Sequence, residues 1–319
     1  MRTNPYKIGK SKGLSPRLKN RLNDLPSLKG KEGRWLRIVL IALGVILLGV
    51  IAAVLLKPET RLMSSVEIKR IESKGVLSVA VRDDMPGFCE DGKGLEAELA
   101  RLLAEKILPD SEEPVKLVPC SSKTLTAKLK DGSADIAIAM QPATLGSAYS
   151  YSYPYYTDTV YLMTLTKEAS EKAPTELKIG YIPDTPAGNV FASYAAGINK
   201  TPEQGLIDRL LKKPKPTPDP NAPTVESVKL GSYDDLLAAL KKGDIDAAVM
   251  SGVYVNKYCR VLADKTEITE YYLSETEIGR LRYCIIASSD EPALAQLADM
   301  LIYEMQENGS LERLIAEYV

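Results

Sequence analysis

Apolar residues gather into blocks of two kinds along this chain of 319 residues. Residues 38–56, IVLIALGVILLGVIAAVLL, hold no charge and approach the ~20 residues a helix needs to cross a hydrocarbon core. Beyond them, short apolar runs alternate with amphipathic stretches. Residues 76–82 predict a buried strand. A polar loop follows, then a helix from about Leu95 that sets Leu95, Leu99, Leu102 and Leu103 on one face. Residues 115–119, VKLVP, predict a second strand. Residues 125–165 read as the end of a helix, a tight turn at Asp131-Gly132, a short apolar strand and a polar loop. The loop runs into a corner of tyrosines at 149, 151, 153, 155 and 156. The βαβαβ order implies an α/β fold with a parallel sheet. Ligands bind at the carboxyl ends of the strands in such sheets.

The last unit recurs. Residues 236–252, LLAALKKGDIDAAVMSG, overlay it so that Gly132 falls on Gly243, Asp135 on Asp246 and Leu129 on Leu240. Each copy is a helix ending at a glycine suited to a left-handed C-cap, then Asp and a small-apolar strand. Two copies suggest two similar lobes facing a shared space, although such units also recur by chance in α/β chains.

Charge divides the chain unevenly. Residues 1–57 carry twelve Lys or Arg against Asp24 and Glu32, a charge of +10, which leaves −11 of the chain's −1 for residues 58–319. The basic stretch reads as a solvated cytoplasmic tail. Arg34, Trp35 and Arg37 stand at the entry to the apolar run, and the positive flank belongs inside. The run is longer than the core of a cleaved signal and lacks an A-x-A-like site. An uncleaved anchor is expected, in the cell membrane, single-pass, with the bulk of the chain extracellular. An acidic outer part argues against a nucleic-acid or anionic-lipid partner. Histidine is absent, which removes Ser-His-Asp, Cys-His and His-metal chemistry. No C-x-x-C occurs among the four cysteines, so no metal or cofactor is expected. Asp83, Asp84, Glu90 and Asp91 cluster around Phe88. A solvated loop explains them better than a catalytic pair, and an enzyme is not expected.

Several segments together resemble the family 3 solute-binding proteins, the extracytoplasmic receptors of polar amino-acid ABC transporters. They are VRDDMPGF (81–88), GLEAELARLLAEKI (94–107), KLKDGSADIAIA (128–139), YSYPYYTD (151–158), KIGYIPDTPAG (178–188), GDIDAAVMSG (243–252) and the final residues 282–319. The resemblance covers nearly all of 66–319 and implies a two-lobed type II periplasmic-binding-protein fold that clamps a small-molecule solute, with an ABC permease as partner. The expected organisation is a basic tail (1–35), a transmembrane anchor (36–57), a linker (58–65), lobe 1 (66–160), lobe 2 (161–278) and a return to lobe 1 (279–319). Residues 197–226, with prolines at 214, 216, 218, 220 and 223, look like an insertion in a stiff extended form. It is either a surface excursion or a contact for another membrane protein.

The resemblance also implies site residues. Phe88 takes the place of an aromatic that stacks on the ligand, and Thr185 that of a hydroxyl meeting an anionic group at a helix N-terminus. Asp184 is the alternative as the cap of that helix. Arg82, Asp83, Gln141, Thr144 and Ser251 complete the candidate ligand-binding set. Two family anchors are missing. The Arg that forks the ligand carboxylate has no counterpart in MQPATLGSAYSYSY (140–153), and Ser251 replaces the Asp that pairs with the ligand ammonium. Losing both suits a ligand other than an α-amino acid: a neutral or aromatic compound, a sugar-like molecule, a peptide, or none. The tyrosines either stack on it or pack the lobe junction. Of three possible cysteine pairings, Cys89–Cys120 and Cys259–Cys284 are expected, one in each lobe. A degenerate fold serving as a sensory or protein-interaction module is the alternative function.

Overall fold

The computed structural model describes residues 38–49, 62–144, 146, 148–198 and 224–319. The chain divides into two units, Met1–Arg61 and Leu62–Val319. In the first, residues 38–49 are helical with exposed apolar side chains. Among the described residues no helix is long and apolar enough to cross a membrane. The rest of the expected anchor, the basic tail and residues 199–223 of the proline-rich insertion lie outside the described residues.

Leu62–Val319 opens with helix α1 (Val66–Lys74), closed by Gly75 in the left-handed region. Strand β1 (Leu77–Val81) is buried at every position, as a central strand covered on both faces must be. A small hairpin, β2 (Asp84–Met85) and β3 (Cys89–Glu90), interrupts the path to helix α2 (Leu95–Ile107). Strand β4 (Val115–Pro119), helix α3 (Leu125–Lys130) and strand β5 (Ile136–Ile138) follow. β1 pairs in parallel with both β4 and β5, so the alternating pattern is realised as the parallel sheet it predicts.

Residues 149–156 depart from expectation. They belong to a strand of 16 residues, β6 (Tyr149–Thr164), rather than to a corner. The Tyr/Ser alternation has a period of two, and that is a strand pattern. After β6 come β7 (Lys178–Tyr181), helix α4 (Pro186–Ile198), β8 (Glu226–Lys229), helix α5 (Tyr233–Lys242), β9 (Ala247–Ser251) and helix α6 (Gly252–Asn256). β10 (Tyr272–Leu273), β11 (Gly279–Ser288) and helices α7 (Pro292–Glu307) and α8 (Ser310–Tyr318) complete the chain. Among the described residues one mixed sheet runs β4-β1-β5-β11-β6-β9-β7-β8, with β10 beside β6. β6 and β11 are antiparallel from Tyr149↔Ser288 to Val160↔Gly279. This ribbon belongs to both halves: β11 also pairs with β5, and β6 continues along β9 from Val160↔Ser251.

The repeated unit does the same work twice. Gly132 and Gly243 both take φ near +75° (73° and 79°), where glycine alone escapes a Cβ penalty. Asp135 then accepts the Ser78 N–H at 2.8 Å, and Asp246 accepts the Lys178 N–H at 2.8 Å. In each half the aspartate ties its own strand to the start of the neighbouring one.

Candidate functional site

Two sites meet at the ribbon, a cleft and a bridge. The cleft holds about 780 Å³. Gln141 and Thr144, from the loop after β5, stand on one wall, and Asp184, Asn189 and Tyr194 stand on the other with Leu281 of β11 between them. Among the described residues Asp184 is the one charged member of this lining. Gln141 reaches Thr144 Oγ1 at 3.3 Å, so the first wall carries a small neutral hydrogen-bonding pair.

The second wall is set by the turn into α4. Thr185 Oγ1 accepts the Gly188 N–H at 3.0 Å and donates to the Ile182 carbonyl at 2.8 Å. Pro186 follows at the first helical position, where a missing N–H does no harm. Thr185 is therefore the N-cap, and its hydroxyl is committed within its own turn. The expected alternative, capping by Asp184, does not occur. Asp184 takes φ 60° and lies exposed at the cleft. A Cβ on Gly188 would sit 1.9 Å from the Ile182 oxygen, so this turn admits no side chain there.

The bridge is built from charges. Arg82, at the end of β1, forks onto Asp84 with Nε–Oδ1 2.7 Å and Nη2–Oδ2 2.9 Å. Its Nη1 reaches Ser122 Oγ at 3.1 Å and the Tyr254 hydroxyl of α6 at 3.3 Å. Lys257, just past α6, donates to the Asp84 carbonyl at 2.7 Å and to its Oδ2 at 3.2 Å. The Arg82 fork pulls the Asp84 carboxyl down to about 2. Burial alone would lower the Arg82 pKa, but Asp84 and Tyr254 outweigh it and hold the guanidinium above its ordinary value. Behind Tyr254, Tyr233 stacks at 4.4 Å and Tyr258 extends the stack. Asp83 turns elsewhere: its Oδ1 accepts the Gly92 N–H at 3.2 Å.

Phe88 is not a cleft residue. It is fully buried, edge-on to Tyr156 at 5.1 Å and to Tyr283 at 6.3 Å. The two tyrosines come from the ribbon, so the ring that was expected to stack on ligand packs the junction instead. Below it the Tyr283 hydroxyl donates to Asp158 Oδ2 at 2.8 Å. Burial pushes the Asp158 carboxyl up, against the pull of its hydrogen-bonding neighbours. Ser251 ends β9 fully buried, with its hydroxyl turned toward Asp158 and Tyr283. Glu96 is also completely buried at the start of α2. Its Oε1 accepts the Met140 N–H at 2.7 Å and the Tyr155 hydroxyl, and Oε2 has no partner. Burial raises its pKa to about 8.

The expected disulfides are not formed: all four cysteines are free thiols. Cys284 faces Pro154 on β6, while Cys259 touches Met163 Sδ at 3.3 Å. Those contacts lie nine residues apart on one strand, roughly 30 Å, far beyond what a disulfide spans. Cys89 points instead at Asp83 Oδ1, 3.6 Å away. Among the described residues no group of acidic or thiol side chains could hold a metal ion.

Of the eight expected ligand residues, the structure brings Gln141, Thr144 and Asp184 to the cleft and Arg82 to the bridge. Thr185 caps a helix, Asp83 orders a loop, and Phe88 and Ser251 are buried. Sequence reasoning passed over Asp158, Tyr254, Lys257 and Tyr283. Only Glu96 had a usable signal, an acid one position from Leu95 in a helix whose apolar face it shares.

Comparison with known proteins places this geometry. The family model for bacterial extracellular solute-binding proteins, family 3, matches residues 77–319. A crystal structure of an ArgBP variant from T. maritima matches with TM-score 0.53 and 18% identity, covering 79% of this chain and 98% of that one. An amino acid ABC transporter substrate-binding protein from Streptococcus pneumoniae, bound to L-arginine, gives 0.52 and 21%, with 78% and 96% covered. An arginine transport system periplasmic binding protein from Legionella pneumophila gives 0.52 and 19%, with 76% and 99% covered. At these identities the structures speak for the fold.

Proposed function

The chain belongs to the bacterial extracellular solute-binding proteins of family 3, and from that premise we propose that it is the membrane-tethered, extracellular receptor of an ABC-type uptake system whose solute is not an ordinary α-amino acid. The charge of the cleft carries this reading. Among the described residues its lining includes no Lys or Arg, and the one charge is the acidic Asp184. Arg82 and Lys257 are both held by Asp84, and Arg280 of β11 is held by Glu277. A ligand carboxylate entering this cleft would lose water with no cation to meet it, and that is costly. A neutral or cationic solute bearing hydroxyl or aromatic groups matches Gln141, Thr144, Asn189 and Tyr194. Binding would work by closure about the β6/β11 ribbon, with the solute shifting the open–closed balance by its differential affinity. The uncharged run 38–56 behind a basic tail supports the tether.

Thermal unfolding of the full chain against amino acids, sugars, amines, peptides and aromatic metabolites tests the solute. A ligand at 100 times its dissociation constant adds about 2.7 kcal/mol. A neutral or cationic hit outside the α-amino acids supports the reading, and a hit on any ordinary α-amino acid overturns it. Alkaline carbonate extraction of cell membranes tests the tether: the full chain stays with the lipid, and release into the supernatant removes that part of the proposal.

A second reading draws on the packed junction. Phe88, Tyr156 and Tyr283 fill the space beside the ribbon, as a sensory or protein-interaction module that has dispensed with a small ligand would allow. Silence across the whole panel favours it.

A further inference from the structure

The bridge at Asp84 invites a reading beyond transport as such. Asp84 belongs to the hairpin after β1, in the half of the sheet formed by β4, β1 and β5. Lys257 and Tyr254 belong to the chain that leaves β9, in the other half. Lys257 donates to both the carbonyl and the carboxylate of Asp84, and the same carboxylate fills the fork of Arg82, which in turn reaches Tyr254. The cations are largely withdrawn from water, with 12% of the Arg82 side chain and 15% of the Lys257 side chain exposed. One acidic side chain thus meets cations from both halves, the position a bridging ligand takes in a clamp. It does so outside the cleft, whose lining includes neither Asp84 nor Lys257.

We propose that Asp84 is a built-in latch: with Arg82, Lys257 and Tyr254 it holds the two halves together from within the chain, so that closure does not depend on the solute. The proposal rests on the receptor reading only in taking closure as the working motion. The geometry favours a latch over a surface ion pair for two reasons. Lys257 makes two bonds to one residue, and the aromatic stack of Tyr233, Tyr254 and Tyr258 fixes the segment that carries it. Exposed pairs are worth little because water competes and long side chains must be ordered. Here the burial of both cations and the stacking reduce both losses, while the Asp84 side chain stays 53% exposed.

Hydrogen exchange of the full chain, read by mass spectrometry, tests it in wild type, K257M, K257R and D84N. Exchange in native protein reports the free energy of local and sub-global opening. In K257M the cleft walls, residues 140–144 and 186–194, exchange about tenfold faster, although neither wall touches Lys257. K257R restores slow exchange because the charge is kept. D84N falls between, since the carbonyl of residue 84 still accepts from Lys257. Wild-type exchange at the cleft walls in K257M overturns the latch, as does faster exchange confined to residues 252–261. Faster exchange in β1 and β9 as well marks general unfolding, and D84N then decides, unchanged cleft walls overturning the proposal. The solute panel is read separately. A latch without a solute leaves this inference standing while the receptor reading fails, and a solute without a latch does the reverse.

Discussion

Glu96 is a carboxylate whose chemistry is displaced far from its ordinary state. It is completely buried, its pKa is raised to about 8 by burial, and one of its oxygens is without a partner. The folded chain therefore holds this proton more tightly than the unfolded one does. Stability from this group is fully present below its ordinary value of 4.5 and is lost as pH rises toward about 8, with a slope approaching 1.4 kcal/mol per pH unit inside that window. E96Q, neutral at every pH, flattens that part of the profile. Urea unfolding at pH 5 and pH 8 should show the wild type losing more than the variant between the two, and equal losses would contradict the assignment. Residues of this kind mark the limit of sequence reading. Gln141, Thr144 and Asp184 line the cleft because they lie on loops at the carboxyl ends of strands. Phe88 does not, because two ribbon tyrosines close over it, and their approach is a matter of register. Nor is the Arg82–Asp84–Lys257 cluster legible, since its members are brought together across 173 residues.

Elements were more legible than side chains. The helix–Gly–Asp–strand unit is visible twice in the sequence, and both copies deliver their aspartate to an N–H at the start of a neighbouring strand. The two copies differ in burial, which gives them different weight. Asp135 is 7% exposed and also meets Arg70 at 3.2 Å and Lys74 at 3.0 Å, whereas Asp246 is exposed. D135A leaves the buried Ser78 N–H without its acceptor, while Arg70 keeps Glu291 and Lys74 keeps Ser78, and should cost about 1–3 kcal/mol. D246A should cost about 1 kcal/mol. Chemical denaturation of the two variants checks the order, and equal losses would mean that the repeat's symmetry extends to its energetics. The turn into α4 offers a cleaner case. T185A removes the N-cap and should cost about 1 kcal/mol, with solute affinity unchanged if the hydroxyl serves only the helix. A large drop in affinity without a change in midpoint would return Thr185 to the ligand. The misread element is β6, whose tyrosines alternate with serine at strand period. Turn-like Ser and Pro obscured the alternation, and a crossover strand carries no local mark of its length.

At the scale of the whole molecule the cleft and the latch make a prediction whose sign separates two mechanisms. If Asp84 stood where the solute binds, breaking the latch would clear the site and tighten binding. The cleft lining includes neither Asp84 nor Lys257, and Arg82 reaches it only through Ser122, so breaking the Lys257 contact acts on the solute through the balance of open and closed forms. A ligand selecting a form populated at fraction f binds with its intrinsic dissociation constant divided by f. Loosening the latch lowers f and must weaken binding. K257M should therefore raise the dissociation constant of whichever solute stabilises the wild type, by about five- to tenfold if the closed form falls from near full population to a fifth or a tenth. The loss should appear as slower association wherever closure precedes binding, and calorimetric titration alongside stopped-flow mixing reads both quantities. Tighter binding in K257M would place Asp84 in competition with the solute and make the bridge part of the site itself. Weaker binding makes the latch a device that sets affinity from outside the cleft, through a pair of halves joined by one ribbon and one carboxylate.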